Sequence, residues 1–60
     1  MNIVIEALMQ NPHLRISTGI RWLVWDGIRW EVYEQLHGQR TSRLCYGGAN
    51  FAYALQVVLE

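Results

Sequence analysis

Cys45, His37 and His13 are the residues of this chain with the intrinsic reactivity for nucleophilic chemistry, since a thiol beside an imidazole is the starting point of a thiolate mechanism. The set matches no cysteine-enzyme signature, and the strand order derived below puts Cys45 several residue pairs away from the turn that holds His37. Cys45 is therefore expected to act as a small apolar side chain. The two histidines stand 24 positions apart without a carboxylate or cysteine in metal-ligand spacing, so no metal site is expected. Glu31 and Glu34, the nearest approach to a carboxylate pair, fall on opposite faces of a strand. Gly47-Gly48 lacks the spacing and the lysine of a phosphate loop and reads as a turn. These residues predict a non-enzymatic protein with no cofactor and no small-molecule substrate.

The remaining candidates are contact chemistry, carried by arginine and aromatic side chains. All five basic residues are arginine, namely Arg15, Arg21, Arg29, Arg40 and Arg43, and three Trp and three Tyr accompany them. Arginine without lysine suits planar, bidentate or stacking contacts better than a diffuse cationic field. Trp25, beside Asp26 and Gly27, is placed at a hairpin tip, where it either projects as a binding anchor or folds back near Arg29 as a cation–π pair.

Positioning these groups requires elements, and the pattern supplies them. Residues Ile3 to Gln10 read as a short helix with Asn2 as N-cap and Ile5, Leu8 and Met9 on one face, a strand over Ile3-Val4-Ile5 being the competing reading. Pro12 disfavours helical dihedrals at Asn11, where the helix should stop. His13 to Gly19 is expected as a connection, with Leu14 and Ile16 tucked under the core. From Ile20 the period changes to two. A two-residue turn at Asp26-Gly27 pairs Trp25 with Ile28 and puts Arg21 on the face of the tryptophans. A three-residue loop with Gly27 in the left-handed conformation instead pairs Val24 with Ile28, Trp22 with Trp30 and Ile20 with Val32. The second register is preferred because it leaves one face apolar, whereas a one-residue slip buries charge.

Gly38 in the same role aligns Glu34 with Arg40, Val32 with Ser42 and Trp30 with Leu44. The expected core face is Ile20, Trp22, Val24, Ile28, Trp30, Val32, Leu44 and Tyr46. The expected outer face is Arg21, Leu23, Arg29, Glu31, Tyr33, Thr41, Arg43 and Cys45, with Arg21, Glu31 and Arg43 forming a charged triple across it. Asn50 caps a helix from Phe51 to Leu59 whose stripe of Phe51, Ala54, Leu55 and Val58 covers the apolar face. The fold class is thus α+β: a short N-terminal helix, a three-stranded antiparallel meander and a C-terminal helix on one sheet face, in a single domain over residues 1–60.

Composition agrees with a folded chain that has little to spare. Sixty residues, 52% hydrophobic and 17% charged, exclude disorder, and a chain of this length buries only about 60% of its unfolded surface. A lone cysteine points to a reducing compartment, and the N-terminal segment has neither the basic nor the long apolar region of a signal peptide, so a cytoplasmic protein is expected. No apolar run approaches the roughly 20 residues that span a bilayer, so no membrane partner is expected. Between His13 and Tyr46 five arginines face three acids, while Glu6 and Glu60 offset the difference to a net charge of zero.

Three strands followed by a helix resemble the AP2-type and phage-integrase arm-binding domains, and the positions of Arg21, Arg29 and Arg43 on the expected outer face carry that resemblance. It implies DNA contact through the sheet. The order with a helix in front is similar to double-stranded-RNA-binding domains, although Gly47-Gly48-Ala49-Asn50 offers no basic cluster for a phosphate at the helix start. Neutral charge and high apolar content favour a protein-interaction or self-association module, most simply a homodimer. The alternative is a small nucleic-acid-binding protein. In either case the expected contact residues are Arg21, Trp25, Arg29, Tyr33 and Arg43.

Overall fold

The computed structural model describes residues 3–11 and 13–60 of the chain. Helix α1 spans Ile3–Gln10, strands β1 to β4 span Ile16–Thr18, Arg21–Trp25, Trp30–Glu34 and Arg43–Gly48, and helix α2 spans Phe51–Leu59. The architecture is α+β as expected, but the sheet is a meander of four antiparallel strands in the order β1-β2-β3-β4 rather than three. The added strand lies in the segment read as a connection. It exists because Gly19, at φ 58°, lets the chain reverse and pair Ile16 with Leu23, Ser17 with Trp22 and Thr18 with Arg21. Ile16 does reach the core, whereas Leu14 stays exposed.

The helices match their expected bounds, and of the two readings of Ile3-Val4-Ile5 the structure has the helix and not the competing strand. The expected cap Asn2 lies outside the described residues. At α2, Asn50 is extended and its Oδ1 accepts the Tyr53 N–H at 3.1 Å, satisfying an orphan donor of the first turn. Such a cap is worth about 1 kcal/mol.

Register is where the structure departs most from expectation. Strands β2 and β3 pair Arg21 with Glu34, Trp22 with Tyr33, Leu23 with Val32, Val24 with Glu31 and Trp25 with Trp30, which leaves residues 26–29 as a four-residue loop. Gly27 has the positive φ foreseen for it, 102°, but Asp26 sets the loop length. Its Oδ1 accepts the N–H groups of Ile28 and Arg29 at 2.8 and 2.7 Å, and its own N–H donates to the Arg29 carbonyl. Ile28 is thereby held in the turn, 86% exposed instead of in the core. The longer loop moves β2 by one residue in face, and Leu23, with Trp25, points inward in place of Trp22 and Val24.

Between β3 and β4 the pairing is Glu34 with Arg43, Tyr33 with Leu44, Val32 with Tyr46, Glu31 with Gly47 and Trp30 with Gly48. Glu34 therefore meets Arg43 and not Arg40, because the loop carrying Gly38 (φ 87°) runs on to Ser42. Two residues of β4 oppose one step of β3 at Cys45, a β-bulge that changes which face the strand presents. One core results, made of Leu8, Leu23, Trp30, Val32, Ala54, Val57 and Val58, with Ile5, Ile16, Trp25, Cys45, Tyr46, Phe51 and Leu55 against it. Trp30 anchors it, edge-on to Phe51 and tilted against Trp25, with centroids 4.8 Å apart in both pairs.

Candidate interaction surface

Because side chains alternate along a strand, the residues between the buried ones form the second sheet face. It presents Ser17, Trp22, Val24, Glu31, Tyr33 and Leu44, and none of these belongs to the core cluster. Trp22, Val24 and Tyr33 on it are half-buried, and Leu44 is exposed. Trp22 stacks on Tyr33 with ring centroids 5.8 Å apart and planes at 23°, and the Arg15 guanidinium lies 5.7 Å from the centre of the Trp22 ring. A shallow, mostly polar groove lined by Ile20, Trp22, Gln35, Leu36, His37 and Gln39 lies beside the start of β2.

Glu31 lies on this open face yet is only 8% exposed. Its Oε2 accepts from the Nη2 and Nε of Arg29 at 3.0 and 3.2 Å, and its Oε1 accepts the Tyr33 hydroxyl at 2.8 Å. That hydrogen bond raises the Tyr33 pKa above its ordinary value, burial adding to the effect, so the phenol stays protonated and donating. The guanidinium of Arg29 lies over Gly47, where a Cβ would stand 2.7 Å from its carbon, so the missing side chain makes room for the arginine. Asp26 adds a second acid 3.9 Å from Arg29. Its pKa is lowered, first by the Arg29 backbone N–H and then by that of Ile28.

A second polar cluster sits at the opposite end of the sheet, on the helix-covered face. Glu34, 8% exposed, accepts from Arg21 Nε at 2.9 Å and Arg43 Nη2 at 2.8 Å. Arg21 also donates from Nη1 to the Val57 carbonyl at 2.7 Å, while the Thr18 hydroxyl donates to the Val58 carbonyl. Both acceptors belong to the last turn of α2, which carries partial negative charge, and the Val57 carbonyl also accepts the backbone N–H of Glu60 at 3.3 Å. Arg21 and Thr18 thus close the helix end that has no basic residue of its own.

The five residues expected to act together are therefore divided. Arg29 and Tyr33 share the open face through Glu31. Arg21 lies under α2, and Arg43, 71% exposed in its side chain, joins it through Glu34. Trp25 neither projects from the tip nor covers Arg29, but packs on Trp30 at the core. The expected triple of Arg21, Glu31 and Arg43 is replaced by two separate pairings, Arg29 with Glu31 and Arg21 with Arg43 about Glu34. With four strands, and with Arg21 and Arg43 turned to the helix side, the likeness to sheet-reading DNA-binding domains loses the residues that carried it. Sequence reasoning missed Arg15 and Ser17 on this face and assigned Trp22, Val24 and Leu44 to the core face instead. The signal was Trp22 in an alternating strand, and it was read in the wrong face.

Among the described residues no cluster of three or more His, Cys, Asp or Glu is placed to hold a metal ion, and no helix is long and apolar enough to cross a membrane. No protein-family model matches the chain, and neither a curated protein nor a solved structure matches it.

Proposed function

We propose that this chain is a small non-catalytic interaction module that associates with itself through the second face of its sheet. The observation that carries this reading is the Trp22–Tyr33 stack with Val24 and Leu44 beside it, an aromatic and aliphatic surface of half-buried and exposed side chains outside the core cluster. The amount of exposed surface supports it. The chain exposes 4383 Å², where a folded monomer of its mass is expected to expose about 4,000 Å². Its radius of gyration, 11.2 Å, likewise exceeds the about 10 Å expected of a compact chain of this length. Light scattering across the micromolar range and above is expected to give a mass that rises from monomer to dimer with concentration. A monomer at every concentration removes the reading.

A second reading, nucleic-acid binding, is favoured by the Arg15 guanidinium over Trp22 next to Tyr33, since arginine and aromatic faces on a sheet can stack on unpaired bases. Arg15 and Arg29 take the place of Arg21 and Arg43 in this version. It predicts salt-sensitive retention of single-stranded DNA or RNA that falls in Arg15→Ala and Arg29→Ala. Absence of retention at low salt sinks it.

A further inference from the structure

We infer that α1 is a detachable latch, which leaves the sheet and unfolds as a unit while the four strands and α2 stay in place. The fold thus contains a second, partly open conformation.

The two helices are fixed to the sheet by different means. Helix α2 packs on all four strands, burying Ala54, Val57 and Val58 and resting Phe51 and Leu55 on the core. Hydrogen bonds fasten both of its ends. Ahead of its first turn the Asn50 N–H donates to the Tyr46 hydroxyl at 3.2 Å, and in its last turn the Val57 and Val58 carbonyls accept from Arg21 and Thr18. Helix α1 packs on β2 and buries Leu8 alone of its residues, with Ile5, three positions earlier and half-buried, against the core. Its polar side chains, Glu6 and Gln10, bond to each other at 3.5 Å. Ile3, Val4 and Met9 are exposed.

Without its dock the helix does not hold. Helices shorter than about 12–15 residues are marginal in water, and α1 has eight. Its first turn is Ile3-Val4-Ile5, β-branched throughout, and such side chains lose freedom in a helix. Docking and folding of α1 are therefore one event, carried by Leu8 and Ile5.

The connection to β1 permits the opening. Asn11, His13 and Leu14 are exposed, and their hydrogen bonds are local: the Asn11 Oδ1 accepts the His13 N–H at 3.2 Å, and the Asn11 carbonyl accepts the Leu14 N–H at 3.0 Å. Attachment to the sheet resumes at Arg15, over the Trp22 ring, and at Ile16, against the core. Release of α1 leaves the strand pairings and both fastenings of α2 as they are. Segments with few buried apolar contacts are the first to open in a native protein. Leu8 shares the core with Leu23 and Val32, on the sheet face opposite Trp22 and Tyr33, so the latch works whether or not the chain associates through that other face.

Native-state hydrogen exchange on the full chain, resolved by residue in rising sub-denaturing urea, tests this. The amides of Ala7 to Gln10 are expected to exchange together, at least about tenfold faster than those of β3 and α2, through an opening less sensitive to urea because it exposes less surface. That difference measures how stable the open form is, so it must survive when the latch is held open. In Leu8→Asp the α1 amides are expected to lose their protection, while those of β3 stay at least about tenfold protected. Equal rates and equal urea dependence in α1 and β3 mean that α1 leaves only when the whole chain unfolds, which overturns the inference. So does a gradient of rates inward from Ile3 that leaves Gln10 as slow as β3, the pattern of a fraying end. Loss of β3 protection in Leu8→Asp overturns it as well, since the sheet and α2 then do not stand without α1.

Discussion

Leu23→Ala is expected to destabilise the fold by about 3 kcal/mol, and Leu23→Asp to leave the chain unfolded. Leu23 is fully buried opposite Val32, between the sheet and both helices. Truncating such a side chain costs its transfer free energy and the cavity it leaves, roughly 2–5 kcal/mol in total. A domain of sixty residues holds only about 3–5 kcal/mol of net stability, so the loss consumes most of it. The neighbour Val24 points to the open face, and Val24→Asp is expected to keep the fold. Denaturant titration of the two aspartate variants decides between registers. Under the one-residue slip that puts Trp22 and Val24 inside, the outcomes exchange: Leu23→Asp folds and Val24→Asp does not.

Glu34→Gln is expected to destabilise the protein at neutral pH and to flatten the acid side of its stability profile. The folded pKa of Glu34 lies below its ordinary 4.5, chiefly through the hydrogen bond from Arg21 and with help from the Arg43 charge. As pH falls, the unfolded chain takes up this proton first. The stabilisation from Glu34 is therefore complete above about pH 4.5 and is lost as pH falls through the lower folded value. The variant has no such group, so its curve should approach that of the parent chain at low pH. Asp26, also lowered, keeps part of the acid dependence in both. A structural consequence accompanies the titration. Arg21 is held by Glu34 while it donates to the Val57 carbonyl, so amide exchange in the last turn of α2 should quicken in Glu34→Gln. Parallel pH profiles for the two proteins, or unchanged exchange at that turn, would show that Glu34 does not organise this end of the molecule.

Both experiments bear on what could be read in advance. Helix α1 over Ile3–Gln10, helix α2 over Phe51–Leu59, the Asn50 cap and the positive φ of Gly27 and Gly38 are all properties of short stretches of chain, and each was legible from residue type and spacing. So was the inward direction of Trp30 and Val32. The fourth strand was not. Ile16–Thr18 is too short to show alternation, and it becomes a strand only because β2 offers it an edge and the end of α2 offers Thr18 an acceptor.

The faces of the sheet turned on one argument, that burying Arg21 must be worse than burying Trp22 or Val24. That holds for an arginine facing an apolar core. It fails here because Arg21 meets Glu34 on the next strand and the Val57 carbonyl at the end of α2, two acceptors that lie 13 and 36 residues away along the chain. Sequence alone therefore determined which segments are helical, that Gly27 and Gly38 take positive φ in turns and that Trp30 and Val32 face inward, since local dihedral preference and patterning decide those. Only the tertiary structure decided which side of β2 is inside, because that depended on an Asp26 turn of four residues and on distant partners able to satisfy a half-buried guanidinium. With that decision came the open face of Trp22, Tyr33 and Arg15, the surface on which the proposed function rests.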